Sequence, residues 1–581
     1  MKISLKHSIL LLIMLLSYSI SYSQDIEEVM DAPIVATNGG ISMSHISNFS
    51  PDSNSQLNPY SYYISGNLNT SFFGVVNVPV SFAYTNNQAT GNVSQPFNRF
   101  SLSPSYKWIT THMGYSSMTF SPYTLAGHEF MGGGVELTPP DMPFKFAAMY
   151  GRLRKAVYPD TLGSDPSYRR MGGGFKIDYQ NKFIDAGFNV FKAKDDESSL
   201  QFGENDTLFV KPEDNICSSI SVNLKLIENL VFSVEYAVSA FNNDISRNDS
   251  VNSIIGDPFL EGNEENTVHH AYKASISQSS KFGQIGATYE KVSPNYRTLG
   301  AYYFNNDFEN ITANLSTSIK QRVNLSVDAG YQRDNLSNQK TNSSSRFIYS
   351  INASSSITKR LNLAASLSNL QTYVHIRDIY SQVTQTNQFQ NLDTLSFTQI
   401  NTTESVNANY ILQSSKEQRQ SINASFTFQK ASEQQENVDT YTGNKIYNSS
   451  LSYQFSRVPQ RINLATTVNH NYNMMPEMTL SVMTYNISIQ KAFLEKLKAA
   501  IIGTYSNSSN QETTVANIYN IRFTTGYTFL KQHNVNLSMA MINNKGMQGT
   551  STQYSINLAY SYMFNFLVNR ENKKYHFNGN F

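Results

Sequence analysis

Apolar and polar residues alternate with a period of two along most of this chain, and no amphipathic helical stretch of similar length competes with that pattern. In Val323-Asn324-Leu325-Ser326-Val327-Asp328-Ala329-Gly330-Tyr331 the odd positions are apolar and the even ones small or polar. Tyr554, Ile556, Leu558, Tyr560, Tyr562, Phe564 and Phe566 repeat the dyad, with Ser555, Asn557, Ala559, Ser561 and Asn565 between them. Successive side chains of a strand point to opposite faces, so the pattern describes a sheet with one oily and one wet face. Sustained over hundreds of residues, it predicts strands that face lipid on one side and a hydrated interior on the other.

Beyond Gly40 the chain reads as hairpins whose connections alternate between short and long. Tight turns fall near Gly74, Ser105, Pro140, Asn181, Asn229, Lys281, Lys320, Lys359, Ser415, Pro459, Leu494 and Lys531. Longer polar loops fall at 49–58, 86–96, 152–168, 194–216, 241–267, 333–343, 374–393 and 431–441. Short turns on one side and long loops on the other are expected of an outer-membrane barrel, with the short ones periplasmic and the long ones extracellular. The prediction is an all-β, transmembrane, antiparallel up-and-down β-barrel of about 26 strands, within a range of about 22 to 28, over residues 40–566. Residues 296–307 are assigned to an extracellular excursion, although Leu299 to Phe304 would add a strand if extended, as would the alternating Tyr575, Phe577 and Phe581 in the 567–581 tail.

The first residues, Met1-Lys2-Ile3-Ser4-Leu5-Lys6-His7, are basic, and an apolar run from Ile9 to Leu16 follows that is too short to span a bilayer. This is the pattern of a signal peptide over 1–23, with the cut expected before Gln24 and a short periplasmic segment over 24–39. Only 15% of the residues are charged, whereas Tyr and Phe number 36 and 35. The net charge of +1 offers no electrostatic attraction to nucleic acid, so outer-membrane lipids are the expected partners. The one cysteine, Cys217, excludes an internal disulfide framework and is read as a thiol without a role.

Candidate chemistry is sparse. No Gly-x-Ser-x-Gly elbow, Walker loop, His-Glu-x-x-His or EF-hand spacing occurs, so no enzyme and no cofactor is expected. His269 and His270 beside Glu264 and Glu265 form a weak candidate for a divalent metal, against which hydrated loop side chains are the plainer reading. The runs Asp195-Asp196-Glu197 and Glu264-Glu265 are read as solvated loops. His112 and His128 lie near strand ends with no evident Ser or Asp partner. Gly132-Gly133-Gly134 and Gly172-Gly173-Gly174 sit inside strand patterns and mark either barrel curvature or the close approach of an inward-folded loop or plug.

Apolar-Asn-apolar recurs just after short turns at Val323-Asn324-Leu325, Leu361-Asn362-Leu363, Ile462-Asn463-Leu464 and Val535-Asn536-Leu537. With Asp328 and Asn557, the residues Asn324, Asn362 and Asn463 are the candidate lumen-lining set. Tyr60, Tyr62, Tyr63, Phe72, Phe73, Trp108, Tyr302, Tyr303, Phe304 and Phe566 are read as interfacial girdles. Basic residues crowd the short turns and acidic ones the long loops.

The segments Leu102-Ser103-Pro104-Ser105-Tyr106-Lys107-Trp108, Phe120-Ser121-Pro122-Tyr123-Thr124-Leu125-Ala126-Gly127-His128 and Leu299-Gly300-Ala301-Tyr302-Tyr303-Phe304-Asn305-Asn306-Asp307 carry a likeness over most of the mature chain. On them the protein resembles the large, poorly characterised outer-membrane β-barrel proteins of Bacteroidota. The resemblance implies a Gram-negative outer-membrane location and a barrel fold, with no catalytic residue to carry over. TonB-dependent receptors of such membranes place a plug domain ahead of the barrel, whereas Gln24 to about Asn38 alone precede the first strand expected here.

A barrel of about 26 strands is wider than the 22-stranded transporters, whose lumen needs a plug. Two functions follow from the need to fill it. The first is a porin-like channel or transporter for small polar solutes, narrowed by inward-folded loops, 194–216 and 241–267 in particular. The second is a structural or assembly component of an outer-membrane complex or secretion machinery, whose lumen is plugged or whose loops are capped by a partner lipoprotein.

Overall fold

The computed structural model describes residues 32–569 apart from 52–58, 87–97, 159–165, 201–209, 247–265, 321, 338–344, 370–371, 376–396, 433–443, 476–477, 494–495, 512 and 548. In it, 28 extended segments form one antiparallel sheet in which sequence neighbours pair. The sheet closes on itself: the first strand, Val35–Phe49, pairs along its whole length with the last, Gly549–Val568, from Val35 opposite Val568 to Phe49 opposite Tyr554. Closure is what the bilayer demands, because an open edge would leave unpaired N–H and C=O groups in hydrocarbon.

Two strands are interrupted. Arg99–Leu102 and Ser105–Tyr106 lie between Val76–Thr85 and Ile109–Thr119, and Leu361–Ser368 and Thr372–His375 both pair with Phe397–Ser414. Each interrupted strand taken once gives a closed barrel of 26 strands. The first break falls at Ser103-Pro104, where proline has no N–H to give the ladder. The tight turn expected at Ser105 therefore sits at Lys107-Trp108, with Lys107 in the left-handed region at φ 51°.

One further boundary differs from expectation. The first strand begins at Val35 rather than near Gly40, because Asn38, Gly39 and Gly40 continue the ladder with Asn69, Leu68 and Asn67. Leu299 to Phe304 form no strand. The alternating residues of the 570–581 tail lie outside the described residues.

The dyad sorts the two faces of the wall. Ile220, Ile311, Phe347, Leu451, Ile487, Ile501, Ile521 and Ile556 stand exposed on the outside, whereas Ser555, on the opposite parity, is buried. Near the long-loop end the outer face carries ring contacts such as His45 with Tyr60, Phe428 with Tyr447 and Tyr505 with Tyr519. Near the short-turn end Phe529, His533 and Tyr562 stack at 4.7 and 4.5 Å between centroids. Amphipathic rings gather where apolar wall meets polar rim.

Adjacent residues on one strand test this sorting. Ile487 is 55% exposed on the outside, while Asn486 points the other way and donates to Thr504 Oγ1 at 2.9 Å. Ile487→Arg is expected to cost about 2–4 kcal/mol in a bilayer and Asn486→Arg less than about 1 kcal/mol, read from urea unfolding in lipid vesicles. Equal losses would contradict the assignment of faces.

Candidate functional site

Two connections at the long-loop end turn into the barrel instead of standing above it. Residues 120–125 join Ile109–Thr119 to Ala126–Leu137, and residues 293–307 join Gly283–Val292 to Phe308–Ile319. They fasten to each other: Thr298 Oγ1 donates to Thr124 O at 2.6 Å, Tyr296 Oη to Tyr123 O at 2.8 Å, and Ala126 N to Gly300 O at 2.9 Å. Gly300 is required there, since a Cβ would stand 2.5 Å from Thr124 O and 2.8 Å from the Phe191 ring.

Beneath them the inner wall is apolar where a water-filled pore would be polar. Phe120 and Leu125 of one insert and Leu299 of the other bury against Met118, Phe130, Met149, Leu153, Phe191 and Phe241 of the wall. Tyr123, Tyr296 and Phe304 pack with Ala237, Ala271, Val292 and Phe308. Burial of this kind is worth about 25 cal/mol per Å² removed from water, and an insert held by it is part of the fold. The glycine triplets make the room. A Cβ on Gly174 would meet Phe120 at 3.0 Å, one on Gly172 would meet Leu153 at 2.7 Å, and one on Gly134 would meet Met118 Sδ at 2.7 Å. Of the two readings of these glycines, the close approach of an inward-folded segment holds at Gly174.

Polar pins fix the inserts in register. Leu299 N donates to Asn215 Oδ1 at 3.0 Å, whose amide in turn donates to Ser239 Oγ and Ala240 O, each at 2.9 Å. Ser239 Oγ donates to Arg297 O at 2.6 Å. Thr124 Oγ1 donates to Asn189 Oδ1 at 2.6 Å, Tyr123 Oη to Glu290 Oε1 at 2.5 Å, and Ser121 Oγ to Glu235. Burial first, and then the negative charges of Glu290 and Glu235, push the Tyr123 hydroxyl well above the usual tyrosine range, so it stays a donor. Cys217 is fully buried within this network, donating to Asn215 Oδ1 at 3.1 Å.

An ion cluster closes the edge of the insert. Arg170 holds Asp195 through two bonds of 2.8 Å and reaches Glu213 at 2.7 Å, while Arg297 of the insert reaches Glu213 from the other side at 2.5 Å. Arg154 adds a 3.3 Å contact to Asp195, and the Arg297 guanidinium lies 4.0 Å over the Phe241 ring. Burial raises the Glu213 carboxyl, but Arg170, Arg297 and Arg154 outweigh it and hold the group below the usual glutamate range. Asp195 is thus an ion-pair partner rather than part of a solvated loop, and Asp196 accepts from Ser198 N as the cap of the short helix Glu197–Ser199.

The residues singled out in the sequence distribute unevenly. Asn324 and Asp328 share the face opposite exposed Tyr331, and Asn557 the face opposite Ile556 and Leu558. Asn362 accepts from Ser356 at 2.8 Å and Asn463 from Ser456 at 2.6 Å. His269 and His270 stand on the strand Asn266–Ser280 rather than in a loop, and as neighbours there they point to opposite faces. His270 pairs with Tyr236 Oη at 2.9 Å, and Glu264 and Glu265 lie outside the described residues. Tyr302 and Phe304, read as girdle, are inside the barrel instead: Tyr302 stacks on His128 at 4.0 Å, and Phe304 lies tilted against Tyr296 at 5.0 Å between centroids. The inserts take these rings because the wall below them is apolar.

His112 has neighbours that the sequence did not disclose. One ring nitrogen lies 3.2 Å from Ser103 Oγ and the other 3.7 Å from Glu136. The Ser103 N–H is spent on Pro79 O at 3.0 Å, and Pro104 has none. The cluster is a polar contact of the wall. Of the loops expected to narrow the lumen, 201–209 and 247–265 lie outside the described residues. The inserts found here carried a signal of their own, dense apolar and aromatic residues in connections otherwise polar.

No protein-family model matches the chain, and no curated protein does. Among solved structures the chain is similar to the translocation pore of the P pilus usher PapC, at 11% identity over 91% of this chain and 99% of that one, with a TM-score of 0.37. It is similar to the siderophore receptor PirA from Acinetobacter baumannii at 9% identity over 91% and 80%, with a TM-score of 0.38. It is also similar to the ferric enterobactin receptor PfeA from Pseudomonas aeruginosa at 10% identity over 90% and 80%, with a TM-score of 0.41. These scores carry no functional argument, and the barrel rests on its own ladder.

The ion cluster predicts a pH dependence. Because the folded Glu213 pKa is depressed, its contribution is complete above the ordinary glutamate value of about 4.3 and is lost as the pH falls through the folded value. Glu213→Gln is expected to unfold more readily than the parent at neutral pH, by about 1–3 kcal/mol, with the difference narrowing below about pH 4. A gap in urea midpoint that stays constant from pH 7 to pH 3 would contradict this.

Proposed function

We propose that this chain is an outer-membrane barrel that conducts small polar solutes along the part of its lumen that the two inserts leave uncovered. The observation that carries the reading is the asymmetry of the inner wall. Toward the long loops, between the strands Ile109–Thr119 and Phe308–Ile319, it carries an apolar patch covered by residues 120–125 and 293–307. From Val323–Asp334 onward it bears amides and hydroxyls, among them Asn409 bonded to Asn423 at 2.6 Å and Asn486 bonded to Thr504 at 2.9 Å.

On this reading Asn324, Asp328, Asn362, Asn463 and Asn557 line the path. A recess of about 780 Å³ beside Ser318, Asn324, Asn352, Ser354 and Ser366 gives it room. Neutral amides and hydroxyls exchange hydrogen bonds with water at little net cost, which suits passage rather than tight binding. The apolar outer belt and the signal-peptide pattern over 1–23 support the outer membrane as the location, and the resemblance to Bacteroidota barrels supports a Gram-negative source. The reading requires no catalytic residue.

Conductance is the test. Replacing residues 296–306 with a short Gly-Ser link is expected to raise single-channel conductance in planar bilayers, because it removes Tyr296, Leu299 and Phe304 from the lumen. Asp328→Lys is expected to shift the current ratio toward anions by reversing a charge on the path. Unchanged conductance after the replacement would overturn the channel reading.

A further inference from the structure

The charges that face the lumen are not shared evenly around the wall. On the side that carries the inserts, inward cations have carboxylates beside them. Lys225 reaches Asp185 at 2.8 Å, Lys176 reaches Asp178 at 3.2 Å, and Lys273 stands in the ladder between Glu235 and Glu290.

Elsewhere that balance is missing. Eleven strands, eight from Gln418–Ser432 to Gly549–Val568 and three from Val35–Phe49 to Val76–Thr85, contain no Asp or Glu, and the acidic residues of this stretch lie in its connections. The same strands carry Arg419, Lys498 and Arg522 on the inward parity, opposite to exposed Phe426, Ile501 and Ile521. Asp328 lies outside the stretch, on Val323–Asp334.

Lys498 borders a recess of about 460 Å³ in the lumen face. Its other walls include the amides of Gln490, Asn536 and Asn557 and the hydroxyls of Thr524 and Ser538, all able to donate to an anion. Among the described residues, none that lines the recess is acidic. The ladder partner of Lys498 on the next strand is Gly526, which adds no side chain beside it. Arg522 follows on the strand of Gly526, on the same face and nearer the long loops, roughly 13 Å farther along at about 3.3 Å per residue.

We infer that the uncovered part of the lumen selects anions, with Lys498 and Arg522 as successive stations for a small anionic solute. This names the solute class for the conduction proposed above and rests on that reading. A unit charge about 5 Å from a passing ion in water enriches the counter-ion roughly fourfold and depletes the co-ion by the same factor. At low salt the Debye length of about 30 Å exceeds the spacing of the two cations, so they act together.

The test reconstitutes the full chain in planar bilayers of neutral lipid and reads the reversal potential under a KCl gradient at low ionic strength. Chloride is expected to pass over potassium by about fourfold, and Lys498→Gln with Arg522→Gln to lower that ratio by about the same factor. Lys491→Gln, on the outward face with Ile489, is expected to leave the ratio unchanged. In vesicles, labelled glucuronate should enter faster than glucose, a neutral solute of similar size, and should lose that advantage in the double variant. A current with no preference or a preference for potassium overturns the inference alone, as does equal entry of the two sugars in the parent. An unchanged ratio in the folded double variant, or an equal shift from Lys491→Gln, overturns the assignment to Lys498 and Arg522. Neither current nor solute entry overturns the conduction reading and this inference with it.

Discussion

The fold depends on the seam between Val35–Phe49 and Gly549–Val568. A bilayer offers backbone groups no hydrogen bonds, so a spanning sheet is stable only when its two ends satisfy each other. With the seam made, every strand is interior, and the outward apolar residues lose contact with water together. Without it, two edges of at least 15 residues would stand open. The seam also couples the ends of the chain, so the barrel is completed only when the last strand is in place.

Closure at 26 strands creates the second problem, a lumen too wide to be left empty. The chain answers it locally. Two connections fold back on one side of the wall and are held by an apolar interface, a set of buried hydrogen bonds and the cluster of Arg154, Arg170, Arg297, Asp195 and Glu213. Gly174 is the complement of these inserts, since a side chain there would occupy the space of Phe120, while Gly172 leaves room for Leu153 and Phe191 of the wall they cover. The opposite wall carries amides and hydroxyls, among them Asn409 with Asn423 and Asn486 with Thr504.

Much of the barrel was legible in the sequence because its physics is local. The period of two, the short and long connections and an even strand count follow from residues a few positions apart. The site was less legible, because its contacts join residues far apart in the chain, Thr124 with Thr298 and Asn215 with Leu299. A trace was present even so. Met149-Tyr150 and Val190-Phe191 place apolar residues on both faces of a strand, which a plain water-filled pore does not require. Tyr302 and Phe304 misled because an aromatic cluster in a loop has the same composition whether it meets lipid or folds inward. His269 and His270 misled because adjacency in sequence is separation across a strand.

The most direct measurement is a cross-link across the seam. In a Cys217→Ser background, Met43→Cys with Tyr560→Cys places two thiols at partner positions of the closing ladder. The account predicts that a disulfide forms between them under mild oxidation in native membranes, within one molecule, while Met43→Cys with Tyr554→Cys does not cross-link. A chain that inserts in membranes yet never joins Cys at 43 to Cys at 560 would contradict the closed barrel.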